Sequence, residues 1–257
     1  MTPPAARGTG DSPGGGTGAP TRERLLAAAR EVVAKDGLEG LTLRAIARHA
    51  GVSHGAPLRH FPTLAALLAA VAASGFDRLV AVIDDRLVAA DAAAAADGRT
   101  LSAIERLALA GDCYVDVALA DPGVFSITFR PERCDVSDQT YQDAGARAFG
   151  QLVDLTVAAQ AEGWHPDVPS PQLAAVLWTS VHGTAELSIH GALDGILGPD
   201  ALGAVRAATA RLLFGRAVAP RPVPSGHVRI DQPPAGADRL PAGTTDTDAE
   251  GVTEGET

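Results

Sequence analysis

The sequence predicts an all-α protein, with an N-terminal three-helix domain carrying a helix-turn-helix and a larger C-terminal helical domain. Two observations lead there. Apolar residues recur at helical spacing in one segment after another, and Thr, Ser, Gly and Pro stand at the segment ends. Residues Thr42 to Phe61, TLRAIARHAGVSHGAPLRHF, have the form of two short helices joined by a tight glycine turn.

Within that stretch, Thr42 is suited to cap a helix that turns Leu43, Ile46 and Ala47 inward and leaves Arg44 and Arg48 on another side. Ala50-Gly51-Val52 breaks the pattern, because Gly51 can take the left-handed conformation while Val52 drops back into the core. Ser53 is expected as the second N-cap. The helix it opens would expose His54, Gly55 and Ala56, then Arg59 and His60, before Phe61 returns to the core. Pro57 falls in the first helical turn, where a missing N–H costs little. A helix-turn-helix seats its second helix in the DNA major groove, and small residues at its exposed start let the backbone approach the bases. The same shape also occurs in proteins that touch no DNA.

Along the rest of the chain, Thr21 is expected to cap a first helix that buries Leu25, Leu26, Ala29, Val32 and Val33 and stops at Gly37. A helix reopens at Thr63 and runs to about Ala90, with Leu67, Leu68, Val71, Phe76, Leu79, Val80 and Ile83 on its apolar side. Ala89 to Gly98 reads as a helix end or a loose loop. Leu101 to Leu119 forms the next helix, ended by Asp121-Pro122-Gly123, and a short segment with Phe125, Ile127 and Phe129 follows. Gln139 to Glu162 is expected to bury Ala146, Phe149, Val153, Leu155 and Val157. Ser170 is expected to cap a helix from Pro171 to about Gly191, and Asp200 to Phe214 supplies the last one.

Residues Thr21 to Phe61, TRERLLAAAREVVAKDGLEGLTLRAIARHAGVSHGAPLRHF, resemble the N-terminal domain of the TetR family of bacterial transcriptional repressors. Trp178-Thr179-Ser180-Val181-His182-Gly183, with ADPGVFSITF before it, resembles the C-terminal domain of one branch marked by a Trp, His-Gly signature. The resemblance implies DNA contacts from Thr42, Arg44, Ser53, His54, Gly55, Ala56, Arg59 and His60, and a small-molecule effector held in the body. It also implies a homodimer built on the last two helices, with its reading helices about 34 Å apart on a palindromic operator. The helix from Thr63 would be the lever between head and body. Two positions depart from the pattern, which usually has tyrosine at Leu58 and often lysine at Leu64, both near phosphates. They leave an alternative open, a dimeric ligand-binding or protein-interaction module with weakened DNA binding.

Charge agrees with a DNA-touching head on an acidic body. The chain carries −10 overall. Yet Pro20 to Pro62 holds Arg22, Arg24, Arg30, Lys35, Arg44, Arg48 and Arg59 against only Glu23, Glu31, Asp36 and Glu39. The expected division is a disordered arm at 1–19, the helix-turn-helix domain at 20–66, an effector-binding and dimerisation domain at 67–216 and a disordered acidic tail at 217–257. There is no signal-peptide layout, and the apolar helices read as too interrupted to span a bilayer, so the expected location is cytoplasmic.

Aromatic residues are scarce, 6 Phe, 2 Tyr and 2 Trp. Tyr114, Phe125, Phe129 and Trp178, joined by His182, therefore mark a candidate pocket for a largely apolar ligand, with ordinary core packing as the competing reading. His182, Glu186 and His190 recur every four residues but span about 12 Å, too far for one ion, and no metal or other cofactor is expected. Cys113 and Cys134 form no metal-ligand pattern and are expected as reduced thiols. No phosphate loop, nucleophile elbow or paired-carboxylate arrangement points to an enzyme.

Overall fold

The computed structural model describes residues 20–215; the arm expected at 1–19 and the tail expected at 217–257 lie outside them. The described residues belong to one compact unit. They form ten α-helices and two short 3-10 turns, without strands. In order these are α1 (Thr21–Asp36), α2 (Leu43–His49), α3 (Ala56–His60), α4 (Leu64–Ala96), α5 (Ala103–Ala120) and α6 (Pro122–Thr128). They continue with α7 (Gln139–Ala161), α8 (Ser170–Ile189), α9 (Ala192–Leu197) and α10 (Ala201–Phe214).

Helices α1 to α3 close around Leu25, Ala29, Val32, Ile46 and Phe61, and the first two turns of α4 complete this core with Leu67, Leu68 and Val71. The same core draws in Val124 and Ile127 from α6, together with Cys134. The head is thus finished by residues that lie far along the chain. The body behind it packs α4 against α7, α5 and α6, and α5 against α8.

Helix α4 is the longest element, 33 residues. Thr63 caps it by accepting from the Ala66 N–H at 3.0 Å. It runs past the expected Ala90 to Ala96, because an alanine run continues a helix at almost no cost, and it stops where Gly98 takes φ 70°. It is also the exception to the expectation about membranes. An 18-residue window in it has mean hydropathy 1.8, long and apolar enough to cross a bilayer by composition alone. Here it serves as the central strut, with Leu67, Leu68, Val71, Ile83 and Leu87 buried.

Three capping expectations change. Thr21 is the first residue of α1 rather than its cap, a place taken by Pro20, whose carbonyl accepts from the Arg24 N–H at 3.1 Å. Ser170 is likewise inside α8, and its hydroxyl donates to Gln160 Oε1 at 2.6 Å instead of capping the helix. Ser53 does not cap α3, as described below. Ser102, by contrast, forms a full capping box with Glu105. The Ser102 backbone N–H donates to Glu105, which holds that carboxylate below its ordinary pKa.

The buried face of α7 also differs from expectation. Ala144, Thr156 and Ala159 face the core with Leu152 and Leu155 beside them, whereas Ala146, Phe149 and Val157 are exposed. Apolar residues occur on more than one side of this helix, so periodicity alone could not choose among them. The smaller side chains won because they let α7 pack close to α4 and α5.

Asp121-Pro122-Gly123 does more than end α5. Asp121 Oδ1 accepts from the Val124 N–H at 3.1 Å and Pro122 occupies the first turn, so the same three residues start α6. This short helix is wedged between two others by glycines. A Cβ on Gly123 would stand 2.6 Å from Val33 Cγ1 of α1, and one on Gly75 of α4 would stand 2.4 Å from Thr128 Oγ1 of α6. By contrast, a Cβ on Gly150 in α7 would meet nothing within 4 Å. Gly75→Ala is therefore expected to destabilise the fold by about 1–3 kcal/mol through forced separation of α4 from α6. Gly150→Ala is expected to stabilise it by about 0.5–1 kcal/mol, and urea denaturation of both variants checks the contrast.

Candidate functional site

The helix-turn-helix is assembled around a corner held by an arginine. Thr42 Oγ1 accepts from the Ala45 N–H at 3.1 Å and starts α2 as expected. Gly51 takes φ 62°, and the Val52 N–H returns to Ala47 O at 3.0 Å. Arg24 of α1 donates to the carbonyls of Ala50 and Gly51, satisfying acceptors left open where α2 ends.

The second helix starts later than expected. The Ser53 carbonyl, not its hydroxyl, receives the Ala56 N–H at 2.9 Å, and His54 and Gly55 form a turn before a helix of only five residues. Pro57 at the start of α3 removes an N–H that a cap would otherwise have served, and it is buried against the head core. The surface that results carries Thr42, Arg44, Ser53, His54, Gly55, Arg59 and His60 exposed, with Ala56 half-buried. These eight residues lie on α2, on α3 and on the turn between them. Four other basic side chains of the head, Arg22, Arg24, Arg30 and His49, are engaged within the described structure. Arg24 holds the corner, and Arg30 donates to Ser74 Oγ of α4 at 2.6 Å. Arg22 lies over the Phe61 ring at 5.3 Å, and His49 pairs with Glu31 at 2.6 Å. Leu58 is 58% exposed on α3, while Leu64 packs against the head core.

In the body, Tyr114, Phe125, Phe129, Trp178 and His182 converge from α5, from α6 and its C-cap, and from α8. The His182 ring lies 4.7 Å from Phe129 and 5.2 Å from Phe125, and Tyr114 meets Phe125 edge-on at 5.9 Å. A polar chain threads these rings: Trp178 Nε1–H donates to Tyr114 Oη at 3.1 Å, and Tyr114 pairs with His182 Nδ1 at 2.8 Å. Burial raises the Tyr114 hydroxyl far above its ordinary pKa, so it keeps its proton. Burial also lowers the His182 pKa, against the opposing field of Glu186. A neutral imidazole whose Nδ1 accepts the Tyr114 proton leaves the Tyr114 oxygen to accept from Trp178. His190 turns to Glu186 and is exposed, apart from this cluster. Among the described residues, no group of three His, Cys, Asp or Glu side chains is placed to hold a metal ion.

Beside the cluster lies a small cavity of about 30 Å³ between α4, α5 and α6. Tyr114, Phe125 and Phe129 line it; Trp178 and His182 stand behind Phe129 and do not. Its remaining wall includes Gly75, Phe76, Leu79, Val117 and Val124. Helical periodicity places Phe76 and Leu79 only on an apolar helix side. Phe76 touches Phe129 edge-on at 5.5 Å, and the scarcity of aromatics is the signal that could have grouped it with the others. Gly75 and Val124 give no signal in the sequence, since their role arises from a close approach of helices distant along the chain.

The comparisons with known proteins agree with this architecture. A family model described as bacterial regulatory proteins, tetR family, matches residues 25–71. A second, the tetracyclin repressor-like C-terminal domain, matches residues 107–212, a span that includes Trp178 and His182-Gly183. No curated protein matches the chain. Among solved structures, a protein with unknown function from Rhodococcus sp. RHA1 is similar at 31% identity and TM-score 0.62, over 77% of this chain and 97% of that one. A putative TetR-family transcriptional regulator from Rhodococcus sp. is similar at 22% identity and TM-score 0.51, over 75% and 98%. The regulator FadR from Bacillus subtilis, solved with stearoyl-CoA, shares the fold at 14% identity and TM-score 0.52, over 75% and 98%. With a helix-turn-helix head matched at one end and a tetracyclin repressor-like body at the other, the chain belongs to the TetR family of bacterial transcriptional regulators.

Proposed function

We propose that the chain is a cytoplasmic, dimeric repressor that leaves a palindromic operator when a small molecule enters the body. The observation that carries this reading is the double duty of α6. One side of it lines the cavity with Val124, Phe125 and Thr128, and its Gly123 meets Val33 of α1. A cavity of about 30 Å³ has room for one or two waters, so any effector must enlarge it. Enlargement moves α4, α5 or α6, and α4 and α6 are fastened to the head. About 1.4 kcal/mol of coupling through that seam changes operator affinity tenfold.

Dimerisation has its own support. Val176 and Leu187 of α8, Ile196 and Leu197 of α9 and Leu212 of α10 are all exposed, Leu212 by 84%. Apolar side chains concentrated on the last three helices suit a twofold partner. Exposed Leu58 favours the second reading, a ligand-binding or interaction module with weakened DNA contact, because it stands where the family usually has a tyrosine. Selection of random duplex DNA at two salt concentrations separates them: an enriched palindrome supports the repressor, and no retention even at low salt supports the module.

On the retained site, Arg44→Ala is expected to weaken binding to every sequence and to shallow the salt slope by about 0.9, the share of one neutralised phosphate. His54→Ala is expected to shift base preference instead, by about 1–3 kcal/mol at one position, in the same selection. Leu212→Glu is expected to give monomers with unchanged helix content, read by sedimentation velocity and circular dichroism. Gly123→Ala is expected to mimic the effector, lowering operator affinity about tenfold without ligand in a fluorescence anisotropy titration.

A further inference from the structure

The polar groups on the cavity wall are unequal in one respect that bears on what the cavity takes. Thr128 donates its hydroxyl proton to Val124 O at 2.8 Å. Tyr114 is held between Trp178 and His182. Asp121 accepts from the Val124 N–H and so holds the start of α6. Asp77, the carboxylate next to Arg78 in the chain, is bound by Arg147 at 2.6 Å. Arg78 also lines the cavity, is exposed at its rim, and makes no hydrogen bond or ion pair with any described residue. The rest of the wall, including Leu79, Val117 and Phe125, is apolar.

A guanidinium beside an apolar cleft is a site for a planar or tetrahedral anion, which it can meet with two parallel N–H donors. Resting on the reading of this cavity as the effector site, we propose that its ligand is an amphiphile with one anionic head: the apolar part enters between α4, α5 and α6, and a carboxylate or phosphate pairs with Arg78. An ammonium head on Asp121 is the competing arrangement. It is disfavoured because that carboxylate is already engaged by the backbone of α6, whereas the Arg78 charge has no protein partner among the described residues. The apolar part supplies most of the affinity, and the head sets the choice among ligands of equal length.

The test is calorimetric titration of the full-length protein with four eight-carbon probes: octanoate, octyl phosphate, octanol and octylammonium. At low salt, an anionic probe is expected to bind about tenfold more tightly than octanol, an advantage that shrinks as salt rises. Arg78→Gln is expected to abolish that advantage while leaving octanol unchanged, and Arg78→Lys to keep much of it. Whether octanoate or octyl phosphate is preferred assigns the head group. Equal affinity for octanol, preference for octylammonium, or an anion preference that survives in Arg78→Gln overturns the proposal but leaves the cavity as a ligand site. Failure of all four probes to bind overturns both.

Discussion

One of the seams between the head and the body depends on how closely α6 can lie against its neighbours. It is a helix of seven residues, too short to be stable alone, and it is held because glycines on two sides remove the side chains that would keep it away. Through Gly123 it reaches α1, and across from Gly75 it reaches α4. Val124 and Ile127 thereby enter the head core while Phe125 stays with the aromatic cluster of the body. One short element belongs to two cores at once.

The neighbouring turn of α4 shows the same economy. Ser74 accepts from Arg30 of α1, Gly75 admits α6, and Phe76 touches Phe129 in the aromatic cluster. Three successive residues thus touch the head, the wedge and the aromatic cluster. Close-packed interiors respond to a forced shift by moving as blocks, so a change at any one of these three points is felt at the others.

Much of this was legible in the sequence. The helix-turn-helix could be read because Thr42, Gly51 and the inward Ile46 each have a local cause, and the structure gives each its expected place. The aromatic cluster could be read because aromatics are so few that five ring-bearing residues in the body had little choice but to meet. Less legible were features decided by competition. Ser53 and Ser170 look like caps, yet a proline and a glutamine partner changed where each helix begins. Helix α7 leaves Phe149 and Val157 exposed beside Arg147 and Asp154, and only packing against α4 and α5 decides which of its apolar residues are covered. The wedge itself was invisible, because a glycine close to another helix has no local signature.

The two ends of α5 are held differently. Ser102 and Glu105 cap each other, Arg99 pairs with Glu105, and Glu162 at the end of α7 accepts from the Ala103 N–H at 2.8 Å. The opposite end of α5 carries Tyr114 and Val117, which border the cavity, and its last turn gives way at Asp121 to the short α6. Side-chain carboxylates thus hold two backbone N–H groups at the start of α5, those of Ser102 and Ala103, whereas at the α5–α6 junction Asp121 holds one, that of Val124.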